Sequence, residues 1–341
     1  MTEKTKTKLL KKTALAEALG ALMAEYSVFA PAKEAERQAF TRISAENMDS
    51  VNLAGAPVLP TKGLLLPRSE TLFEIGLGTG DASVPEYAGD TLLFGARPCD
   101  ARSIVNLDCV FLDERYKDGP YAARRECLTV VANACAEIPG DTCFCDSMGG
   151  SPAGREGADV LLRETRTGNA WIADFITDKG RRVEALWQAA GLLSAPGRAS
   201  AKEPPACKLR PGKPECLPEK LVAAFENPAW ARFSEACIGC GVCSYICPTC
   251  YCFDIGTETR GDKAEEFRCW DCCMFSDYSR MAGGHDPRPT KKERFRNRCL
   301  HKLAYFDERY GRTLCVGCGR CILKCPAGID IAAVIEWGAT L

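Results

Sequence analysis

The chain has 341 residues, of which 46% are hydrophobic and 26% charged, and its formal net charge is −1. These values are typical of an ordinary globular protein of about two domains. They argue against a nucleic-acid-binding protein, which carries a strong basic excess. The sequence has no apolar run of about 18 residues, and its basic N-terminus is not followed by a signal-peptide core. We therefore expect a cytoplasmic protein without a membrane span.

An amphipathic helix is the first predicted element, because apolar residues recur at helical spacing from Leu15 to Tyr26. The apolar run 91–96 then predicts a buried strand. Arg97-Pro98 ends this strand, and Asp100 is placed to cap the helix that follows.

Further along, 128–132 predicts a second buried strand, and 160–163 with 171–175 predicts a hairpin. A helix is predicted over 181–193. This alternation indicates a mixed α/β domain over residues 1–200. Residues 201–236 continue a stretch rich in Pro, Gly and Lys, which is typical of a linker.

Cysteine is the unusual residue of this composition. The chain has 22 cysteines, and residues 237–341 hold fourteen of them. Disulfides are not expected in a chain without a secretion signal, where clustered cysteines are more often metal ligands or catalytic thiols.

Two four-cysteine motifs share one spacing. Cys237 to Pro248 and Cys315 to Pro326 both read C-x2-C-x2-C-x3-C-P, the ligand run of bacterial ferredoxins. Glycines inside the runs allow the backbone to approach a cluster and donate N–H groups to its sulfur atoms. We therefore expect residues 237–341 to form a ferredoxin-like domain with two [4Fe-4S] clusters.

The fourth cysteine of each run begins a new segment and is expected to ligate the other cluster. The predicted ligands of cluster one are Cys237, Cys240, Cys243 and Cys325. The predicted ligands of cluster two are Cys247, Cys315, Cys318 and Cys321. Zinc is the alternative, but zinc sites use paired C-x2-C units and need neither the third cysteine nor the proline.

A helix is predicted before the second motif. Thr290 to Glu293 fits a capping box, and an apolar stripe follows from Phe295 to Phe306. This indicates the helical variety of dicluster domain. Another face of this helix is basic, which predicts a solvated face, a docking surface or counter-charges for a cluster. Its residues are Lys291, Arg294, Arg298 and Lys302.

With these motifs the chain resembles a known family, the beta subunits of cytosolic NiFe hydrogenases (sulfhydrogenases) and the A subunits of anaerobic sulfite reductases. The resemblance covers nearly the whole chain from about residue 60. It is carried by Phe94-Gly-Ala-Arg-Pro-Cys99-Asp, Cys143-Phe-Cys145, Cys247-Pro-Thr-Cys250-Tyr-Cys252-Phe, Trp270-Asp-Cys-Cys273, Ala282-Gly-Gly-His-Asp-Pro-Arg288, the run from Arg288 to Arg298 and the second cluster motif.

This resemblance implies an anaerobic electron-transfer role in a hetero-oligomer. Such subunits relay electrons between a flavin-containing, NAD(P)H-reactive subunit and a catalytic reductase or hydrogenase subunit. The motifs do not separate hydrogen, sulfite and disulfide as terminal acceptors.

Two further sets of cysteines are candidate ligands. Two of the first set follow the predicted strands and two lie in the next loop, so we expect a third [4Fe-4S] cluster from Cys99, Cys135, Cys143 and Cys145. Free core thiols are the alternative. The second set has C-x-C and C-x-x-C spacing, and holds a further cluster or shields cluster two. It comprises Cys250, Cys252 and Cys273 with Cys269 or Cys272.

The surplus cysteines Cys109, Cys127, Cys207, Cys216 and Cys299 are expected to be plain thiols. Two other functions stay open from the sequence. One is an oxidoreductase that acts by itself through a flavin or an open cluster, and the other is a structural module held by zinc.

Overall fold

The computed structural model describes residues 6–34, 37–85, 89–212 and 215–341. Its strands are β1 Lys6–Lys11, β2 Ser27–Glu34, β3 Arg37–Arg42, β4 Ser69–Gly76, β5 Ala82–Ser83, β6 Thr91–Ala96, β7 Leu128–Asn133, β8 Val160–Glu164, β9 Ala170–Phe175, β10 Leu193–Ser194, β11 Phe253–Arg260 and β12 Lys263–Trp270. Its α-helices are α1 Leu15–Met23, α2 Pro98–Phe111, α3 Gly119–Cys127, α4 Asp178–Ala189, α5 Leu217–Ala223, α6 Ala229–Ser234, α7 Val242–Tyr245, α8 Lys291–Leu300, α9 Phe306–Tyr310, α10 Arg320–Leu323 and α11 Ile331–Thr340, and a π-helix spans His301–Tyr305.

An eight-stranded sheet forms the N-terminal part, in the order β10-β1-β9-β8-β7-β6-β2-β3. Its centre, from β2 through β6 and β7 to β8, is parallel. Strand β7 is buried along its whole length, which explains why its sequence is a continuous apolar run rather than an alternating one. Helices α1 and α4 pack on one face, and α2 and α3 on the other.

The predicted strands and the hairpin β8–β9 are confirmed. Helix α1 is confirmed too, although it ends at Met23 and Tyr26 packs beyond it. Helix α2 begins with a capping box, in which Asp100 accepts a hydrogen bond from the Arg97 backbone N–H. Helix α4 exists but spans Asp178–Ala189 rather than 181–193, because Thr177 caps it with its side chain.

A second, four-stranded sheet crosses the predicted domain boundary. Its order is β11-β12-β4-β5, and β4 pairs antiparallel with β12. The predicted first domain, 1–200, is therefore not self-contained, because part of it completes a sheet of the C-terminal part.

The predicted linker also needs correction. Residues 201–236 contain helices α5 and α6, and Leu221 and Trp230 are fully buried. They share a core with Phe295, Leu300 and Ile335. The linker therefore ends near residue 216, because the apolar side chains beyond it belong to the dicluster domain.

The C-terminal part is built of short helices around the cysteine motifs. Helix α8 begins with the predicted capping box from Thr290 to Glu293 and continues through the π-helix into α9. Helix α11 closes the core behind the second motif. The predicted fold class, a mixed α/β part followed by a helical dicluster domain, is confirmed.

Candidate metal centres

The four residues predicted to bind cluster one line a single cavity. Its wall is largely apolar, with Met274, Phe295 and Ile331. Cys237, Cys240, Cys243 and Cys325 all lie on this wall, and Cys321 of the second motif lies there as well. Gly241 has a φ of +74° and begins the turn into α7, which brings Cys243 back toward the cavity.

The second motif lies deeper in the protein. Cys315, Cys318 and Cys321 each have a thiol pKa raised first by burial and further by neighbouring cysteines, and Cys247 is among those neighbours in all three cases. The pKa of Cys321 rises to about 12. A thiolate here needs strong positive charge beside it. The four cysteines predicted for cluster two are therefore near enough to interact electrostatically, and their assignment to one cluster stays a prediction.

The loop that carries Cys143 and Cys145 is bonded directly to the second motif. The Phe144 N–H donates to the Gly317 carbonyl at 2.8 Å, and the Thr142 hydroxyl donates to the Gly319 carbonyl at 3.2 Å. The Cys143 thiol lies 3.8 Å from the Cys318 carbonyl. These contacts place the loop with two of the cysteines predicted for the third cluster directly beside the second motif.

All four residues predicted for the third cluster line one cavity. They arrive from different elements. Cys99 is in the first turn of α2, Cys135 follows β7, and Cys143 and Cys145 lie in the next loop. Cys318 and Arg320 of the second motif complete the wall. The carboxyl ends of β6 and β7 therefore meet where the sequence predicts.

The fourth set converges only in part. Cys252 and Cys273 are in hydrogen-bonding contact, which lowers the pKa of Cys252 to about 6. Cys250 is buried and contacts Cys247. Cys269 lies on β12, opposite Asp254 and Ser69, and the Cys272 thiol faces the Gly241 carbonyl. The further cluster stays a prediction.

Three buried cations lie close to cysteines of the two motifs or to Cys250. Arg298, Lys302 and Lys62 are 4%, 2% and 4% exposed. Burial lowers the pKa of Lys302, but the neighbouring cysteines Cys247 and Cys250 raise it well above its usual value. Lys62 donates to the Ser244 and Cys250 carbonyls at 3.1 and 2.7 Å. Buried cations are normally paired with negative charge, and here the neighbouring groups that can supply it are cysteines.

The basic face of helix α8 is therefore divided. Lys291 is exposed, as a solvated face predicts, whereas Arg298 and Lys302 point inward. The π-helix beginning at His301 helps to place the Lys302 ammonium 3.1 Å from the Thr249 hydroxyl, beside Cys247. For these two residues the geometry fits the counter-charge hypothesis.

Iron–sulfur clusters fit this donor set. Thiolates favour iron–sulfur chemistry, and the buried cations compensate the negative charge of a tetrathiolate cluster. Within the described residues, no three His, Cys, Asp or Glu side chains converge on a site for a single ion. Zinc stays the alternative, and metal analysis tests it.

Comparison with known proteins agrees with this geometry. Residues 236–329 match the 4Fe-4S dicluster domain family. The chain is also 32% identical over 320 residues to sulfhydrogenase 2 subunit beta of Pyrococcus furiosus, which covers 91% of each protein. The chain belongs to the sulfhydrogenase beta subunit family.

This membership confirms the resemblance stated from the sequence and makes the chain an iron–sulfur electron-transfer subunit. The relative is by name one subunit of a larger enzyme, and hetero-oligomeric partners follow for the family. In the parts of the chain that the structure describes, no helix has the length and apolar character needed to cross a membrane.

Some residues of the site escaped the sequence-based prediction. Lys62 lies in a 3-10 turn of the N-terminal part, and no local pattern marks it as a neighbour of Cys250. Arg320 forms a buried ion pair with Asp100, 2.8 Å apart. Cys207, expected to be a plain thiol, lies 3.7 Å from the Cys145 sulfur. The sequence carries no signal for this contact, because Cys207 and Cys145 are 62 positions apart in the chain.

Proposed function

We propose that the chain relays single electrons through three [4Fe-4S] clusters, between a flavin-containing, NAD(P)H-reactive subunit and a catalytic hydrogenase or reductase subunit. The proposed ligands are those predicted from the sequence. Cluster one takes Cys237, Cys240, Cys243 and Cys325, cluster two takes Cys247, Cys315, Cys318 and Cys321, and cluster three takes Cys99, Cys135, Cys143 and Cys145.

One observation carries this proposal: neighbouring sites share walls. Cys318 lines the cavity of the third set although it belongs to the second, and Cys321 lines the cavity of the first set. The three sites therefore form a continuous series from third to second to first. The clusters would supply one-electron carriers, whose potentials depend on burial, charge and hydrogen bonds from this chain.

Both ends of the series reach the surface. At the first site Cys240 is exposed, and Ile238, which lines the same cavity, exposes an apolar side chain. At the third site Cys135 also lines a polar surface groove with Arg155 and Lys202. A relay needs two accessible ends, so the partner subunits are expected to contact these two places.

Metal analysis tests the ligand assignment. The anaerobically purified full chain should hold about twelve iron and twelve sulfide, which is four of each per cluster. Each of the single variants Cys240→Ser, Cys318→Ser and Cys143→Ser replaces one ligand of one set. Each should therefore lose about four iron atoms. The matched control is Cys216→Ser, an exposed thiol outside the three sets. Stoichiometric zinc without iron would refute the proposal.

The relay is tested separately. The loaded chain alone should not oxidise NAD(P)H with an artificial acceptor dye. It should become reduced by NAD(P)H only after the flavin subunit is added, as followed by bleaching of the broad visible absorption. Turnover by the isolated chain would favour the alternative, an oxidoreductase that acts by itself.

A further inference from the structure

Cys207 lies directly behind a proposed ligand of the third cluster. Its sulfur is 3.7 Å from the Cys145 sulfur, and the residue is 2% exposed. Cys145 lines the third cavity together with Cys99, Cys135 and Cys143, whereas Cys207 is not part of that wall. Cys207 therefore contacts the proposed ligand Cys145 without lining the cavity itself.

Polar contacts fix Cys207 in this place. Its backbone N–H donates to the Asp146 carboxylate at 3.1 Å, next to Cys145 in sequence. Its carbonyl accepts from Arg210 Nε at 2.9 Å, and Lys208 forms an ion pair with Asp141 at 2.6 Å. The segment is thus held against the loop that carries Cys143 and Cys145.

The two sulfur atoms have different roles when iron is bound. A ligating Cys145 is a thiolate, which carries no proton and can only accept hydrogen bonds. A thiol at Cys207 carries one S–H group, which is a weak donor. A separation of 3.7 Å suits a hydrogen bond between sulfur atoms and exceeds the length of a disulfide, about 2.05 Å.

We propose that Cys207 donates its S–H to the Cys145 sulfur and thereby raises the reduction potential of the third cluster. The proposal rests on the third cluster of the proposed function. A hydrogen bond to a ligand sulfur stabilises the state with more negative charge, which is the reduced state. Cys207 is therefore a positioning and tuning residue that touches a ligand but does not bind iron.

Potentiometric titration of the full chain, followed by electron paramagnetic resonance, tests this role. Cys207→Ala removes the donor, and Cys207→Val removes it while keeping a side chain of similar size. Both should retain about twelve iron atoms and shift one of three potentials to more negative values. Cys207→Ser keeps a hydroxyl donor and should restore part of the shift.

Cys109→Ala is the matched control. The Cys109 thiol is also partly buried, but it faces the Val105 carbonyl of its own helix at 3.3 Å. Its replacement should leave all three potentials unchanged, which excludes a general effect of losing a thiol.

Two results would overturn the proposal. Loss of about four iron atoms in both Cys207→Ala and Cys207→Val would make Cys207 a ligand. Unchanged potentials in fully loaded variants would make the contact irrelevant to the redox properties. Failure of the third cluster itself is distinguishable, because the unmodified chain would then hold only about eight iron atoms and show two potentials.

Discussion

The two cysteine motifs have the same spacing but opposite surroundings. Ile238 of the first motif is 69% exposed, whereas Val316, at the equivalent position of the second, is 2% exposed. A Cβ on Gly239 would meet only the Met274 carbonyl at 3.8 Å, whereas one on Gly317 would lie 2.5 Å from the Phe144 carbonyl. One motif thus forms an end of the proposed relay and the other its centre.

The position after the second glycine shows the same contrast. Val242 of the first motif corresponds to Arg320 of the second, which pairs with the fully buried Asp100. Asp100 also belongs to the capping box of α2, whose first turn carries Cys99. In the second motif, a side chain between the cysteines therefore forms a buried ion pair with the N-terminal part, which the first motif has no charged residue to do at this position.

The largest expected effect comes from making the second motif like the first at this position. Arg320→Val would leave the Asp100 carboxylate buried without its cation, and removing one partner of a buried pair costs about 3–5 kcal/mol. We expect a marked fall in the melting temperature of the iron-loaded chain, measured by calorimetry.

The control for this prediction is an ion pair whose arginine is exposed. Arg115 binds Asp113 at 2.8 Å with its own side chain mostly exposed, and such pairs contribute about 1 kcal/mol or less. If Arg115→Gln lowered the melting temperature as much as Arg320→Val, the contrast between the two environments would have no energetic meaning.

Next in size is a matched pair of glycine substitutions. Gly239 and Gly317 have φ values of +69° and +64°, so Gly239→Ala and Gly317→Ala carry similar backbone strain. Only Gly317→Ala adds a clash with backbone atoms. Overpacking of this kind typically lowers the free energy of unfolding by a further ~1–3 kcal/mol. Urea unfolding of the loaded variants measures the difference, and equal stability would contradict the close packing.

A third prediction concerns charge. Lys302→Met removes a buried cation beside Cys247 and should make the potential of the second cluster more negative. Two opposite unit charges about 8 Å apart, in a medium of effective dielectric constant about 20, attract each other by roughly 2 kcal/mol. This gives the order of magnitude of the interaction that Lys302→Met would remove. Lys292→Met, on the same helix and paired with Glu293 at 3.4 Å, should change no potential in the same titration. Equal shifts in both variants would refute a local effect.

The last prediction depends on pH. Burial, followed by the charge of Lys302, lowers the pKa of His301 to about 4, against an ordinary value near 6.5. The unfolded chain therefore binds a proton that the folded chain does not, and stability falls as the pH drops from about 6.5 to 4. His301→Gln should reduce this slope by at most about 1.4 kcal/mol per pH unit.

His285 provides the matched control, because it is the other histidine of the chain and is exposed. His285→Gln therefore controls for the replacement of an imidazole by an amide in itself, measured over the same pH range. Parallel curves for His301→Gln and the unmodified chain would show that His301 titrates normally in the folded protein.

Local sequence was sufficient for much of the fold. Strands β6 and β7 are apolar runs because both faces are buried, and capping residues begin α2 and α8 where the pattern predicts. The linker was predicted too long, since composition alone does not show that Leu221 and Trp230 pack against residues from α8 and α11. The β4–β12 pairing was likewise not predicted, because its register depends on contacts between distant segments.

The sequence by itself determined the kind of cofactor and its ligand motifs, because the spacing of thiolates and glycines within eleven residues is a local property of the chain. Only the tertiary structure decided how the motifs differ, namely which one is buried and which cations approach it. It also decided that Lys62 lies beside Cys250 and that Cys207 lies beside Cys145. Those properties arise from contacts across 60 to 220 positions of sequence, and such contacts form only when the sheet and the helices pack together.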